Sequence, residues 1–180
     1  MPLEIERKFL VQGDAWRLDA GGRPVPTIVI RQGYLFADGL RNARVRLSRS
    51  VGTSGPSTSS GTASETVDRA FLTVKGKRSG IERYEFEYSI PPADAELMLD
   101  RLCNPPLIEK TRHLILHDGL TWEVDEFAGA NAGLILAELE LKSADQTFAL
   151  PAWVRRDVTD DGRYYNTYLA AHPYSTWAAP

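Results

Sequence analysis

The chain has one cysteine, three histidines and no apolar run near the roughly 18 residues that a bilayer-spanning helix needs. Cys103 on its own excludes an intrachain disulfide and argues against a thiolate zinc site, so it reads as a packed thiol near the end of a helix. His113, His117 and His172 fall into no ligand spacing. The chain opens on charged residues rather than on a basic then apolar leader, which predicts a soluble, cytoplasmic protein with no membrane partner. A formal net charge of -3 is not that of a general nucleic-acid binder, so no nucleic-acid partner is expected. With 180 residues and 43% hydrophobic content, one domain over 1–180 is expected.

What the chain does have is charge at a period of two. Glu4, Glu6 and Lys8 alternate with Ile5 and Arg7, so on a strand the three share one face, with successive carboxylates roughly 6.5–7 Å apart. Acceptor-only oxygens beside a cation suit a hard metal ion holding a phosphate. A solvated strand face would look the same for this triplet alone. The pattern recurs, however. Arg44 and Arg46 alternate with Ala43, Val45 and Leu47, and Thr73, Lys75 and Lys77 with Leu72 and Val74. Arg83, Glu85 and Glu87 alternate with Tyr84, Phe86 and Tyr88, Glu123 and Asp125 with Trp122 and Val124, and Glu138, Glu140 and Lys142 with Leu139 and Leu141. Lys110 and Arg112 keep the same spacing.

Strands are predicted at Glu4–Val11, Ile28–Phe36, Ala43–Arg49, Ala70–Lys77, Arg83–Ile90, Glu109–His117, Thr121–Phe127 and Leu134–Lys142. A helix fits Pro92–Leu102, stopped by Asn104-Pro105-Pro106. A short helix at Asp14–Leu18 and one or two more within Trp153–Ala171 are expected. The Gly/Ser-rich stretch 50–66 reads as a flexible hairpin connection. The fold class is therefore α+β, mainly antiparallel β: a barrel decorated by helices.

An open sheet wetted on one face gives the same alternation. Yet like charges cluster within strands, which a solvated sheet tends to disperse because neighbours repel. A closed barrel with inward charges and a counter-charged ligand in its lumen accounts for the clustering.

In these motifs the chain resembles the CYTH family, the triphosphate tunnel metalloenzymes. The resemblance rests on Glu4-x-Glu6-x-Lys8, Arg44-x-Arg46, Lys75, Arg83-x-Glu85-x-Glu87, Lys110-x-Arg112, Trp122-Glu123-Val124-Asp125-x-Phe127 and Glu138-x-Glu140, in order along the chain. Val158–Asn166 is similar to the ending of bacterial members. It implies an eight-stranded closed barrel, a tunnel, that takes inorganic triphosphate or another triphosphate with Mg²⁺ or Mn²⁺.

On that resemblance Glu4, Glu6, Glu138 and Glu140 are the expected metal carboxylates. Glu85, Glu87, Glu123 and Asp125 are expected to hold a second ion or orient water. Lys8, Arg44, Arg46, Lys75, Lys77, Arg83, Lys110 and Arg112 are expected on the phosphates, with Glu6 and with Lys8 or Lys110 in catalysis. The expected reaction is hydrolysis of tripolyphosphate to pyrophosphate and phosphate. The family also implies adenylate cyclase and nucleoside or thiamine triphosphatase as alternatives, and a polyphosphate- or nucleotide-binding module is the non-enzyme reading. Pairing of two barrels into a homodimer is left open.

Trp16, Trp153, Tyr164 and Tyr165 are expected to brace the barrel, with Tyr164-Tyr165-Asn166 closing one mouth. His113 and His117 should face away from the lumen, and Asp160-Asp161-Gly162 should be a turn.

Overall fold

A computed structural model describes residues 3–51, 66–77 and 79–177. Its strands are β1 (Leu3–Val11), β2 (Thr27–Ala37), β3 (Asn42–Val51), β4 (Thr66–Lys75), β5 (Glu82–Ile90), β6 (Ile108–His117), β7 (Leu120–Phe127), β8 (Ile135–Glu140) and β9 (Val154–Asp157). Two α-helices, α1 (Pro92–Arg101) and α2 (Asn166–Ala171), accompany them. The first eight strands run in the order β5-β4-β3-β2-β6-β7-β8-β1, all neighbours antiparallel, and β1 meets β5 again to close the barrel. The expected eight-stranded closed barrel is what the chain forms. Of the predicted loop, residues 52–65 lie outside the described residues. No described helix is long and apolar enough to cross a membrane.

Closure is uneven. β3 and β4 share ten register pairs from Asn42↔Lys75 to Val51↔Thr66, whereas β5 and β1 share three: Leu3↔Tyr84, Glu4↔Arg83 and Ile5↔Glu82. β1 then leaves β5, and its edge from Phe9 to Val11 would have no partner without β9, which pairs there. An unpaired strand edge is a row of unsatisfied N–H and C=O groups. Val154–Asp157 is drawn out as strand along that edge, and the helix expected within Trp153–Ala171 forms at Asn166–Ala171, after a 3₁₀ turn at Gly162–Tyr164. Asp14–Leu18 likewise yields just one 3₁₀ turn, Ala15–Arg17.

Local signals explain most other boundaries. Asp118 and Gly119 both take positive φ, 49° and 76°, as the tight turn between β6 and β7 requires. Pro92 occupies the first turn of α1, where its missing N–H costs nothing.

With a charged interior, the apolar core must lie elsewhere. One part lies outside the barrel, where Phe9, Trp122, Val124 and Leu139 meet Trp16, Val25 and Trp153. A second lies under α1, whose Ala95 and Leu99 cover Val45, Leu47 and Ala70. The third fills one end of the barrel. Ile108, Phe127 and Leu136 share the parity of Lys110, Asp125 and Glu138 along their strands, so they face inward, and they pack with Val158, Tyr164 and Leu169 of α2. The outer face of β5 is left uncovered: Tyr84, Phe86 and Tyr88 are 57%, 45% and 57% exposed.

Candidate active site

Above the apolar plug the barrel encloses a cavity of about 400 Å³. Among the described residues its wall carries seven cations (Lys8, Arg44, Arg46, Lys75, Arg83, Lys110 and Arg112) and seven carboxylates (Glu4, Glu6, Glu85, Glu87, Glu123, Glu138 and Glu140). Alternation along the strands delivers all fourteen inward. The wall is thus close to neutral, so a polyanion entering it brings charge that only accompanying cations can balance.

Two networks hold these charges. On β6, β7, β8 and β1, Arg112 spans Asp125 through Nε and Nη2 at 2.8 Å each and reaches Glu138 at 2.9 Å. Arg112 also pairs with Glu123, Lys110 with Asp125, and Lys8 with Glu138. On β1, β3, β4 and β5, Lys75 lies 2.8 Å from Glu4 and 2.7 Å from Glu85, and Arg83 Nε lies 2.5 Å from Glu4. Arg44 approaches Glu85 at 3.7 Å, and Arg46 donates to Glu87 at 2.9 Å.

The two buried lysines differ. Burial disfavours the charge on each, but at Lys8 the carboxylates of Glu138 and Glu6 outweigh it and raise the pKa. At Lys110 burial wins, helped by neighbouring Arg112 and only partly offset by Asp125, and the pKa falls. Burial opposes ionisation of Glu4, yet Lys75 and Arg83 hold its carboxyl well below the usual range. Lys75 itself is pulled down by burial and by Arg44. Tyr34 is pushed up to about 12 by burial and stays a neutral hydroxyl.

The carboxylates test whether a divalent ion fits. Among the described residues no three His, Cys, Asp or Glu side chains converge into a metal-coordinating group, since most carboxylates turn toward lysine or arginine. Glu6 and Glu140, however, stand directly opposite each other on β1 and β8. Glu6 is met by Arg83 at 3.6 Å and Lys8 at 3.9 Å, but no lysine or arginine pairs with Glu140 among the described residues, and facing like charges are unfavourable unless a cation joins them. Glu140 has its pKa raised by burial and by Glu4 and Glu6. The all-oxygen donors of Glu4, Glu6 and Glu140 suit a hard ion such as Mg²⁺ or Mn²⁺.

Most of the predicted site residues share this cavity; two do not. Lys77 lies beyond the end of β4, exposed and outside the lining. The strand stops at Lys75, so the inward period that would carry Lys77 is broken. Asp125 points inward but is fully buried beneath Lys110 and Arg112, so it positions those cations and does not itself line the cavity. Gln32, Tyr34 and Asn42 also line the wall and were not anticipated. They carry no charge pattern; only the register, with Gln32 opposite Arg46 and Tyr34 opposite Arg44, places them there. Thr73 bonds Glu87 at 3.1 Å.

Tyr165, Asn166 and Thr167 line the cavity, while Tyr164 packs in the plug below. Trp16 is fully buried and donates to Gly13 O at 2.8 Å, and His113 faces outward against it, with ring centroids 4.8 Å apart. Asp161 accepts from Arg163 N and opens the turn Gly162–Tyr164.

Inward alternating charges on a closed antiparallel barrel, over a helix-filled end, define a charged tunnel protein. The CYTH domain matches residues 2–166, and the chain belongs to that family. It is 41% identical over 177 residues to an inorganic triphosphatase from Acetivibrio thermocellus, covering 98% of this chain and 99% of the relative. It is 37% identical to one from Nitrosomonas europaea, covering 93% and 96%. A solved inorganic triphosphatase matches with a TM-score of 0.56 at 31% identity over 93% of both chains. A putative adenylyl cyclase from Hippeastrum with a dominant triphosphatase activity shares the fold at a TM-score of 0.50 and 15% identity, over 78% of this chain and 80% of that one.

Proposed function

We propose that this chain is a metal-dependent triphosphatase that hydrolyses inorganic triphosphate to pyrophosphate and phosphate inside the barrel. The observation that carries this reading is the wall itself: seven cations and seven carboxylates around about 400 Å³. A rod of phosphates can use that many cations. An adenine ring finds few apolar partners, since among the described residues the lining holds only Leu3 as an aliphatic residue and Tyr34 and Tyr165 as aromatic ones. Both full-length relatives named above are inorganic triphosphatases, which agrees with it.

Arg44, Arg46 and Arg83 present guanidinium forks to the phosphate oxygens, and Lys75 adds a point charge. Arg112, fixed by Asp125, Glu123 and Glu138, presents a charge whose position is set before substrate arrives. Glu4, Glu6 and Glu140 are the residues that would hold Mg²⁺ or Mn²⁺. Glu138 would be shared with Lys8 and Arg112, and Glu85, Glu87 and Glu123 would orient water. Once bound, the ion neutralises phosphate charge and acidifies water. Lys110, with its lowered pKa, is the lysine suited to accept a proton from the attacking water. Lys8, with its raised pKa, stays charged and grips a phosphate oxygen. Attack breaks the terminal phosphoanhydride bond, and the cations stabilise charge on the departing pyrophosphate.

Phosphate release from tripolyphosphate, ATP and thiamine triphosphate, each with Mg²⁺ and with Mn²⁺, tests the reading. Tripolyphosphate should be cleaved fastest. Glu6→Ala and Arg44→Ala should abolish cleavage while the far-ultraviolet circular dichroism stays unchanged. Cyclic AMP formed from ATP, or full activity in both variants, would overturn it.

A further inference from the structure

A second cavity lies at the plugged end of the barrel, outside the tunnel, with a volume of about 720 Å³. That is within the size range of small-ligand sites. It is lined by Arg155, Arg156 and Arg163 together with Tyr164, Tyr174 and Trp177.

The groups are organised with respect to one another. Arg163 sits 5.9 Å from the Tyr164 ring and 5.8 Å from the Trp177 ring. The Tyr174 and Trp177 rings meet at 5.0 Å, and Arg156 donates to the Tyr164 hydroxyl at 3.4 Å. Asp161 engages Arg163 at 2.9 and 2.6 Å, and Asp157 is taken by Arg7. No ion pair joins Arg155 or Arg156 to a carboxylate among the described residues. The groove therefore keeps Arg155 and Arg156 without a carboxylate partner among the described residues, beside an aromatic wall.

We propose that this groove binds a nucleoside polyphosphate, with the base against Trp177 and Tyr174 and the phosphates on Arg155 and Arg156. Guanidiniums recognise phosphate oxygens in pairs, and an indole ring supplies a stacking face for any base. An inorganic phosphate would use the arginines alone, whereas Tyr174 and Trp177, half-buried on the apolar plug, also line the groove and give a ligand that carries a base a second contact. The site is distinct from the tunnel yet adjoins it along the chain. Tyr164 lines the groove, and the next residue, Tyr165, lines the tunnel. The strap between them and β9 is fastened to β1, through Val158 N to Lys8 O at 2.8 Å and Lys8 N to Thr159 Oγ1 at 2.9 Å.

The test is titration of the full chain with ATP in excess EDTA, followed by tryptophan fluorescence, with sodium tripolyphosphate as the parallel ligand. ATP should quench saturably, tripolyphosphate at equal concentration should not, and Trp177→Phe should lose the response. Arg155→Ala/Arg156→Ala should weaken ATP about tenfold or more, the loss expected for one charge-assisted contact, while its rate on tripolyphosphate with Mg²⁺ stays at the wild-type level. Arg44→Ala/Arg46→Ala, which cripples the tunnel, should keep the quench. Equal quenching by tripolyphosphate, undiminished ATP binding in the groove variant, or loss of the quench in the tunnel variant would each overturn the proposal.

Discussion

Asp125→Asn removes one negative charge and almost no volume from a side chain with no solvent exposure. Lys110 and Arg112 both lose their shared counter-ion, and both are buried. Opposite charges about 3 Å apart attract by about 5 kcal/mol at an effective dielectric constant near 20. The amide oxygen of Asn can still accept from Arg112, but its NH₂ then confronts the Lys110 ammonium. Removing one partner of a buried ion pair costs about 3–5 kcal/mol. For a chain of this length that lowers Tm by roughly 6–20 °C. The same change should also be visible in catalysis. Asp125 is the main group raising the Lys110 pKa against burial and Arg112, so without it the pKa falls further. If neutral Lys110 accepts the proton, the limb of kcat/KM that rises with pH moves to lower pH. Urea denaturation and the pH profile of phosphate release from tripolyphosphate measure the two effects. A stability change within about 0.5 kcal/mol, the range of ordinary surface substitutions, would refute the buried network. An unshifted limb would refute Lys110 as the base.

Lys77→Ala should leave KM for tripolyphosphate within about twofold, whereas Lys75→Ala should lower kcat/KM about tenfold or more, as lost charged contacts do; steady-state phosphate release compares them. Gly33→Ala should cost about 1–3 kcal/mol by overpacking, because its Cβ would fall 2.6 Å from Cys103 Cβ and 2.9 Å from Leu107 Cδ2, and urea denaturation measures that loss. Removing divalent ions with EDTA should stop hydrolysis and weaken tripolyphosphate binding, since the nearly neutral wall cannot balance the anion unaided; calorimetric titration with and without Mg²⁺ reads this.

The barrel was legible because its interior is charged. Period-two runs such as Glu4-Ile5-Glu6-Arg7-Lys8 record which face turns inward, and fourteen residues of that pattern reappear around one cavity. What the pattern omits is register. Gln32, Tyr34 and Asn42 are uncharged, so their place beside Arg46, Arg44 and Lys75 depends on strand pairing that no local spacing encodes. Lys77 shows the converse: its spacing is right, but the strand ends two residues earlier. β9 was missed because four residues with two arginines make a weak strand by propensity, and the unfilled edge at Phe9–Val11 decides their conformation.

The seam between β1 and β5 has a consequence for how the molecule breathes. Three residue pairs hold that joint, and one of them, Glu4 with Arg83, is also an ion pair of the tunnel wall. A polyanion that draws Arg83 away, or a cation that draws Glu4 away, loosens the stave that keeps the cylinder shut. Amide exchange at Leu3, Glu4 and Ile5 should therefore respond to what fills the tunnel, while the ten-pair joint of β3 and β4 stays quiet.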